Sequence, residues 1–395
     1  MNLVFVRSWS DKDEGVVMTI ALLLPQDRFG LVRRAAALEA GWTDAMLSAA
    51  VRRGELIRVA IGVYAIAGVD LDGPEGADRL YRLRSIATVS NARDGGATVL
   101  SHQSAAAVHG LPLLKPNREN IHVTSLTRGG GLIRGGRNVH GGHLDEAQIV
   151  DVDGIRVTDV VRTVVDVAEA GSFAQALTVF DAALRAGADR ASLESELGRR
   201  RTKGAREART AIVVADGRSA SVGESWSRAQ MIEDGLALPD LQVEHAVDGD
   251  TFVVDYEWHG RLMAEYDGLH KYGRLLRPGE TTARAVIREK RREDRLRRAT
   301  GLVMVRWYGP TWSATGSPRS CGNGSTDLPH LAPPCFNWTR LPELRQVGRI
   351  EAGRSEMRRV GRNEQPHEVT EREPRCRLRQ RPRDASHCAR PAGTI

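Results

Sequence analysis

Four carboxylates and a lysine fall within Phe252 to Tyr272, FVVDYEWHGRLMAEYDGLHKY: Asp255, Glu257, Glu265 and Asp267, then Lys271. Phe252 to Trp258 and Leu262 to Asp267 have strand composition, and His259-Gly260-Arg261 between them is a three-residue loop centred on glycine. That loop length sets Trp258 opposite Leu262, and therefore Asp255 across from Glu265. Alternation places Val254, Tyr256, Trp258, Leu262, Ala264 and Tyr266 on one face and the four acids on the other. Like charges directly opposite each other repel, so this face calls for a cation. Mg²⁺ meets the need: it takes one or two carboxylates plus waters and can activate a water against a phosphodiester. Arginine partners on a solvated acidic face are the plainer alternative.

The elements around this hairpin have a specific order. Upstream, Gly223-Glu224-Ser225-Trp226 opens a helix through Met231 and Ile232 that ends near Gly235, and Leu241 to Val247 is a strand. Downstream, Thr281 to Ala299 is a long helix closed by Gly301, followed by the apolar strand Leu302 to Trp307. The order α-β-β-β-α-β matches the core of the restriction-endonuclease-like, PD-(D/E)xK fold. The blocks GESWSRAQMIEDGLALPDLQVE, VVDYEW, AEYDGLHKYGRLLRPGE, REKRREDRLRRATG and VMVRW together resemble an actinobacterial domain related to the very short patch repair (Vsr) endonucleases, over about Ser219 to Trp307. The resemblance implies Glu224, Asp255 and Glu265 as catalytic acids holding Mg²⁺. Many such nucleases carry lysine two residues after the second acid, where this chain has Asp267, a departure that bears on cleavage more than on fold. Lys271, four residues further on, is the expected substitute. The chain has five lysines against 52 arginines, and lysine, unlike arginine, can shift its pKa to act as a base. Lys290 lies four residues before Asp294, the spacing of an ordinary helical surface pair.

Near the amino terminus, DRFGLVRRAAALEAG predicts one helix, Thr43 N-caps a second in TDAMLSAAVRRGEL, and LIRVAIGVYAI gives two short strands about Gly62. Residues 27–70 therefore have the pattern of a winged helix-turn-helix. The phrase AVRRGELIRVAIGVYAI resembles the N-terminal domain of AbiEi-type antitoxins of type IV toxin-antitoxin systems, in which the winged helix binds promoter DNA. The resemblance implies DNA as a partner and a cognate toxin at gene or pathway level. Arg52, Arg53 and Arg58 are the expected phosphate contacts, which position a domain without reading bases.

Residues 78–187 form a third unit. Its phrases VLSHQSAAAVHGLPLL, NIHVTS and VDGIRVTDVVRTVVDVAEAGSFAQALTVFDAALRAG resemble the C-terminal part of the same antitoxin-like proteins, with mixed α/β character. His102 and His109 share a helix face, and His122, His140 and His143 follow. A metal site on them is one reading, but no Asp, Glu or Cys completes a recognised ligand spacing, so packing or capping histidines are the plainer one. The run GGGLIRGG, Gly129 to Gly136, reads as a mobile hairpin tip, lacking the strand-to-helix context of a nucleotide loop. Residues 188–218, with Arg199-Arg200-Arg201, Lys203 and Arg206, read as a helical bridge with a solvated basic face.

The net charge of +7 and pI near 9.5 suggest nucleic-acid affinity until the tail is set aside. Residues 310–395 hold 15 arginines, all four cysteines and ten of the sixteen prolines, without apolar periodicity. They predict disorder and resemble the product of a reading-frame shift, and no C-x-x-C pair argues for zinc. The remainder has 42 basic and 41 acidic residues, so bulk charge does not argue for DNA. Residues 1–26 read as unstructured or as a mis-assigned start, with Met18 an alternative initiator. No apolar run has membrane length, and the body lacks cysteine, which predicts a soluble cytoplasmic protein. The expected architecture is α+β: winged helix, mixed α/β middle domain, restriction-endonuclease-like αβββαβ domain over 219–309, and disordered tail. Two functions follow from different classes: a DNA-binding, Mg²⁺-dependent endodeoxyribonuclease, or a non-catalytic antitoxin acting as a transcriptional autorepressor.

Overall fold

The computed structural model describes residues 23–92, 96–127, 130–202, 204–258, 260–267 and 280–307. The tail, the first 22 residues, Lys203, His259 and Lys271 lie outside them. The winged helix comprises β1 (Leu31–Arg33), α1 (Arg34–Glu39), α2 (Asp44–Arg53), β2 (Leu56–Ala60) and β3 (Val63–Ile66), with sheet order β1-β3-β2. β1 corrects the expectation of one helix from Asp27. The Asp27 carboxylate accepts from the N–H groups of Phe29 at 2.9 Å and Leu31 at 3.0 Å, and Gly30 follows at φ +79°. Such side-chain bonds to local backbone compete with the helix ladder. Leu31 and Val32, fully buried, pair with Ala65 and Tyr64 instead. Thr43 caps α2 through the Met46 N–H at 3.2 Å, and Gly54 ends it at φ +78°.

The next unit runs α3 (Gly73–Ser90), β4 (Thr98–Leu100), α4 (His102–His109), β5 (Ile121–Ser125), β6 (Leu132–Arg134), β7 (Arg137–Gly141), β8 (Ile149–Val152) and β9 (Ile155–Thr158). These strands form a mixed six-stranded sheet in the order β6-β7-β5-β4-β9-β8. Strands β6 and β7 form a hairpin in which Gly135 and Gly136 take positive φ, as a two-residue primed turn demands. One apolar cluster joins Tyr81, Ile86, Leu100, Val123 and Val157 of this unit with Leu31, Val59 and Val63 of the winged helix. The two therefore share a core.

Five helices follow: α5 (Val160–Ala170), α6 (Phe173–Arg185), α7 (Arg190–Gly198), α8 (Ala205–Val214) and α9 (Val222–Glu233). The residues read as a bridge are α7 and α8, and they belong to the core. Leu193 and Leu197 on α7, and Ala205, Ala208 and Ala211 on α8, pack with Val164, Leu177 and Phe180. Their three- and four-residue spacing makes an apolar stripe beneath the arginines. Trp226, Ala229 and Ile232 of α9 join the same core.

The last layer is β10 (Asp240–Val247), β11 (Asp250–Trp258), β12 (Leu262–Tyr266), α10 (Thr282–Thr300) and β13 (Val303–Trp307). The sheet order is β10-β11-β12-β13, antiparallel except for the parallel β12–β13 pair. With α9 this gives the α-β-β-β-α-β order expected, and the fold is α+β.

The start of α7 supports a pH prediction. Bonds from the Ser192 hydroxyl and N–H, each 2.8 Å, hold the Asp189 carboxyl below its ordinary value. A carboxylate with a depressed folded pKa stabilises above its unfolded value, and that contribution is lost as pH falls through the folded value. Asp189→Ala should lower the melting temperature at neutral pH, with the deficit closing below about pH 4. A deficit that persists unchanged at about pH 2 rejects the charged cap.

Candidate functional site

On the hairpin Trp258 pairs with Leu262, Glu257 with Met263 and Tyr256 with Ala264, and Asp255 and Glu265 come next on the two strands, beyond the paired residues. Glu224 approaches from the first turn of α9. It is the third residue of that helix: the Ser221 hydroxyl caps the helix by accepting from the Glu224 N–H at 3.2 Å, and the Glu224 carboxylate accepts from the Ala220 N–H and the Ser221 hydroxyl, each at 2.8 Å. Asp255 Oδ2 accepts from the Tyr266 N–H at 2.8 Å. The Gln242 amide joins the two acids, donating to Glu224 at 3.0 Å and Asp255 at 3.2 Å. Gln242 does so from φ +51°, a left-handed backbone that non-glycine residues rarely adopt. Buried Tyr256 donates from its hydroxyl to the Glu224 carbonyl at 2.8 Å.

Glu265 is held differently. Arg306 of β13 lies 2.7 Å from its carboxylate, and Arg292 of α10 also bonds to it. Burial pushes the Glu265 carboxyl upward, and the two arginines pull it back. Arg306 also reaches Glu289 at 2.8 Å and Asp267 at 3.9 Å, while Glu257 faces away to His245 at 2.6 Å. The cation that the opposed acids call for is thus supplied at Glu265 by guanidinium groups. Among the described residues, ligand atoms of Glu224, Asp255 and Glu265 do not gather within 4.8 Å of one another. Glu265 therefore does not complete a three-acid metal centre here. Glu224 and Asp255, converging on the Gln242 amide, have oxygen donors suited to a hard cation.

Sequence reasoning missed Gln242, Arg292 and Arg306. Arg306 carried a signal, a lone charge in the apolar run VMVRW, and its parallel register partner is Glu265. Nothing in the spacing singled out Gln242.

The winged helix has six arginines and four carboxylates within residues 20–67. Three carboxylates are taken: Asp27 pairs with Arg33 at 2.9 Å, Asp44 with Arg34 at 2.5 Å and Glu55 with Arg53 at 2.6 Å. Arg53, expected to face phosphate, is thus already neutralised by a carboxylate two residues away. Among the described residues, Arg28, Arg52 and Arg58 pair with no carboxylate, and all three are exposed. The Arg58 guanidinium lies 5.7 Å from the centre of the Tyr64 ring, which orients it without neutralising it. A domain within a nearly neutral body thereby presents uncompensated positive charge on α2 and β2.

Residues 20–67 match the family described as transcriptional regulator, AbiEi antitoxin. The chain is also 31% identical over 270 residues to uncharacterized proteins of Mycobacterium tuberculosis strains CDC 1551 / Oshkosh and H37Rv, an overlap covering 64% of this chain and 93% of each relative. The chain belongs to the family of these mycobacterial proteins.

Proposed function

We propose that the chain is a DNA-binding transcriptional regulator of the AbiEi antitoxin type, acting in the cytoplasm beside a cognate toxin. The observation that carries this reading is the unpaired charge of Arg52 and Arg58 on a capped helix and wing strand. Phosphate neutralisation by such cations releases counterions, so affinity should fall steeply with salt. Arg52→Ala and Arg58→Ala should each flatten the slope of log affinity against log salt by about one unit, almost equally across DNA sequences. Arg53→Ala should change it less, because Glu55 already offsets that charge. An unchanged slope in the Arg52→Ala, Arg58→Ala double variant sinks the assignment. No helix among the described residues is long and apolar enough to cross a membrane.

A second reading keeps the acidic face as a Vsr-like nuclease site. It is favoured by Glu224 and Asp255 meeting at one amide, in a place where Mg²⁺ could replace Gln242. Glu265, Asp267 and Lys271 would then assist. Mg²⁺-dependent nicking of duplex DNA, lost in Asp255→Ala, would support it. No nicking by the full chain leaves the regulator alone.

A further inference from the structure

We infer that His102, His122 and His140 form a binding site for a late first-row divalent cation such as Zn²⁺. The site is set by strand register. Thr124 of β5 pairs with His140 of β7 in parallel, so alternation brings His122, two residues before Thr124, onto the same sheet face as His140. His102 arrives from the start of α4 and stacks on His140 with ring centres 3.7 Å apart. His122 Nδ1 lies 2.9 Å from His140 Nε2, and one ligand nitrogen from each of the three lies within 4.8 Å of the others. Zn²⁺ holds imidazole nitrogens at about 2.1 Å, which in a tetrahedron sets them about 3.4 Å apart. Closing that difference needs the His102 and His140 rings to turn out of their stack so that one nitrogen of each faces the ion.

The surroundings suit a ligand set better than a packing cluster. Burial first, then the neighbouring histidines, pulls His102 well below its ordinary value and His122 down to about 4, and burial lowers His140. Uncharged imidazole is the form that binds metal. His102 Nδ1 faces the Ser101 hydroxyl at 3.0 Å and Asp166 at 3.8 Å, leaving Nε2 for a metal. A carboxylate behind a ligating imidazole is the usual outer partner that fixes ring orientation. Arg162 and Arg200 nearby are each tied to Asp166, at 2.9 and 2.8 Å. Two independent observations point to something further being held. His102 takes φ +51°, a left-handed backbone in a non-glycine residue. The Thr124 hydroxyl, 1% exposed on the face shared with both strand histidines, has no hydrogen-bond partner among the described residues. A water in the fourth position of a three-histidine site would answer it.

The test uses the full chain stripped of metal and titrated with Co²⁺, then competed with Zn²⁺. One equivalent should bind with the visible absorption of tetrahedral, nitrogen-ligated cobalt and without a thiolate charge-transfer band, which excludes the four cysteines of residues 310–395. His140→Gln, on a half-exposed strand, and His122→Gln should each weaken binding at least about 100-fold, a ligand mattering no less than an outer partner. His109→Gln and His143→Gln should leave binding unchanged, since His109 bonds to the Thr158 carbonyl at 2.7 Å and His143 is exposed. Circular dichroism checks that each variant is folded, and the wild-type spectrum alone reports on thiolate. No binding by the wild type, a thiolate band, or equal binding by folded His140→Gln overturns the inference.

Discussion

Asp181→Ala is expected to cost about 3–5 kcal/mol of unfolding free energy, because it strands a buried cation. Arg228 on α9 meets Asp181 on α6 at 2.9 Å, with side chains 5% and 0% exposed. Burial raises the Asp181 carboxyl, Arg228 pulls it back, and the Asp216 N–H donates to it at 2.7 Å. Removing the acid leaves the guanidinium without its counter-charge and the Asp216 N–H without its acceptor. The pair also links α9, which carries Glu224, to the helical core. Asp181→Ala combined with Arg228→Met should be less damaging than Asp181→Ala alone, since no buried charge is then left unpaired. Urea unfolding decides the matter. A single variant within about 1 kcal/mol of wild type shows that the charge finds water or another partner.

Trp258→Ala should cost a similar amount, about 3–5 kcal/mol, through a different cause. Trp258 ends β11 at 1% exposure, and its indole N–H donates to the Ala237 carbonyl at 2.7 Å. It packs with Tyr256, Leu262 and Trp307 on the apolar face behind the acids. Truncation opens a cavity and leaves that carbonyl without its donor. Trp258→Phe should fill most of the space and lose mainly the hydrogen bond, about 1–3 kcal/mol. Equal losses for both variants would mean that the bond, rather than the packing, holds the hairpin.

The hairpin register from Trp258 to Tyr256 was legible because loop length is local information. The face of Val254 was not, since it packs with Met263 and Leu296 rather than with Tyr256 and Trp258. The N-cap Thr43 and the closing Gly301 were also legible from local information. Phe29 to Arg33 was not, because LVRR has no strand alternation and is diverted by one aspartate and one glycine. The partners of Glu265 were hidden by distance along the chain, Arg292 being 27 residues away on another element. The three histidines escaped a ligand-spacing search because β5, β7 and α4 meet only through sheet order. The arginines of residues 199–201 misdirected the reading of α7 and α8, since exposed charge is conspicuous and an alanine stripe is not.

The core shared by the winged helix and the six-stranded sheet limits how far the matched segment can be treated as a portable part. Excised at residues 20–67, it would show solvent the side chains of Leu31, Val59 and Val63, which the whole chain buries against Tyr81, Leu100 and Val157. A fusion carrying that segment alone would present a sticky apolar wall. The winged helix and the sheet it leans on are therefore expected to stand or fall together when the chain is cut.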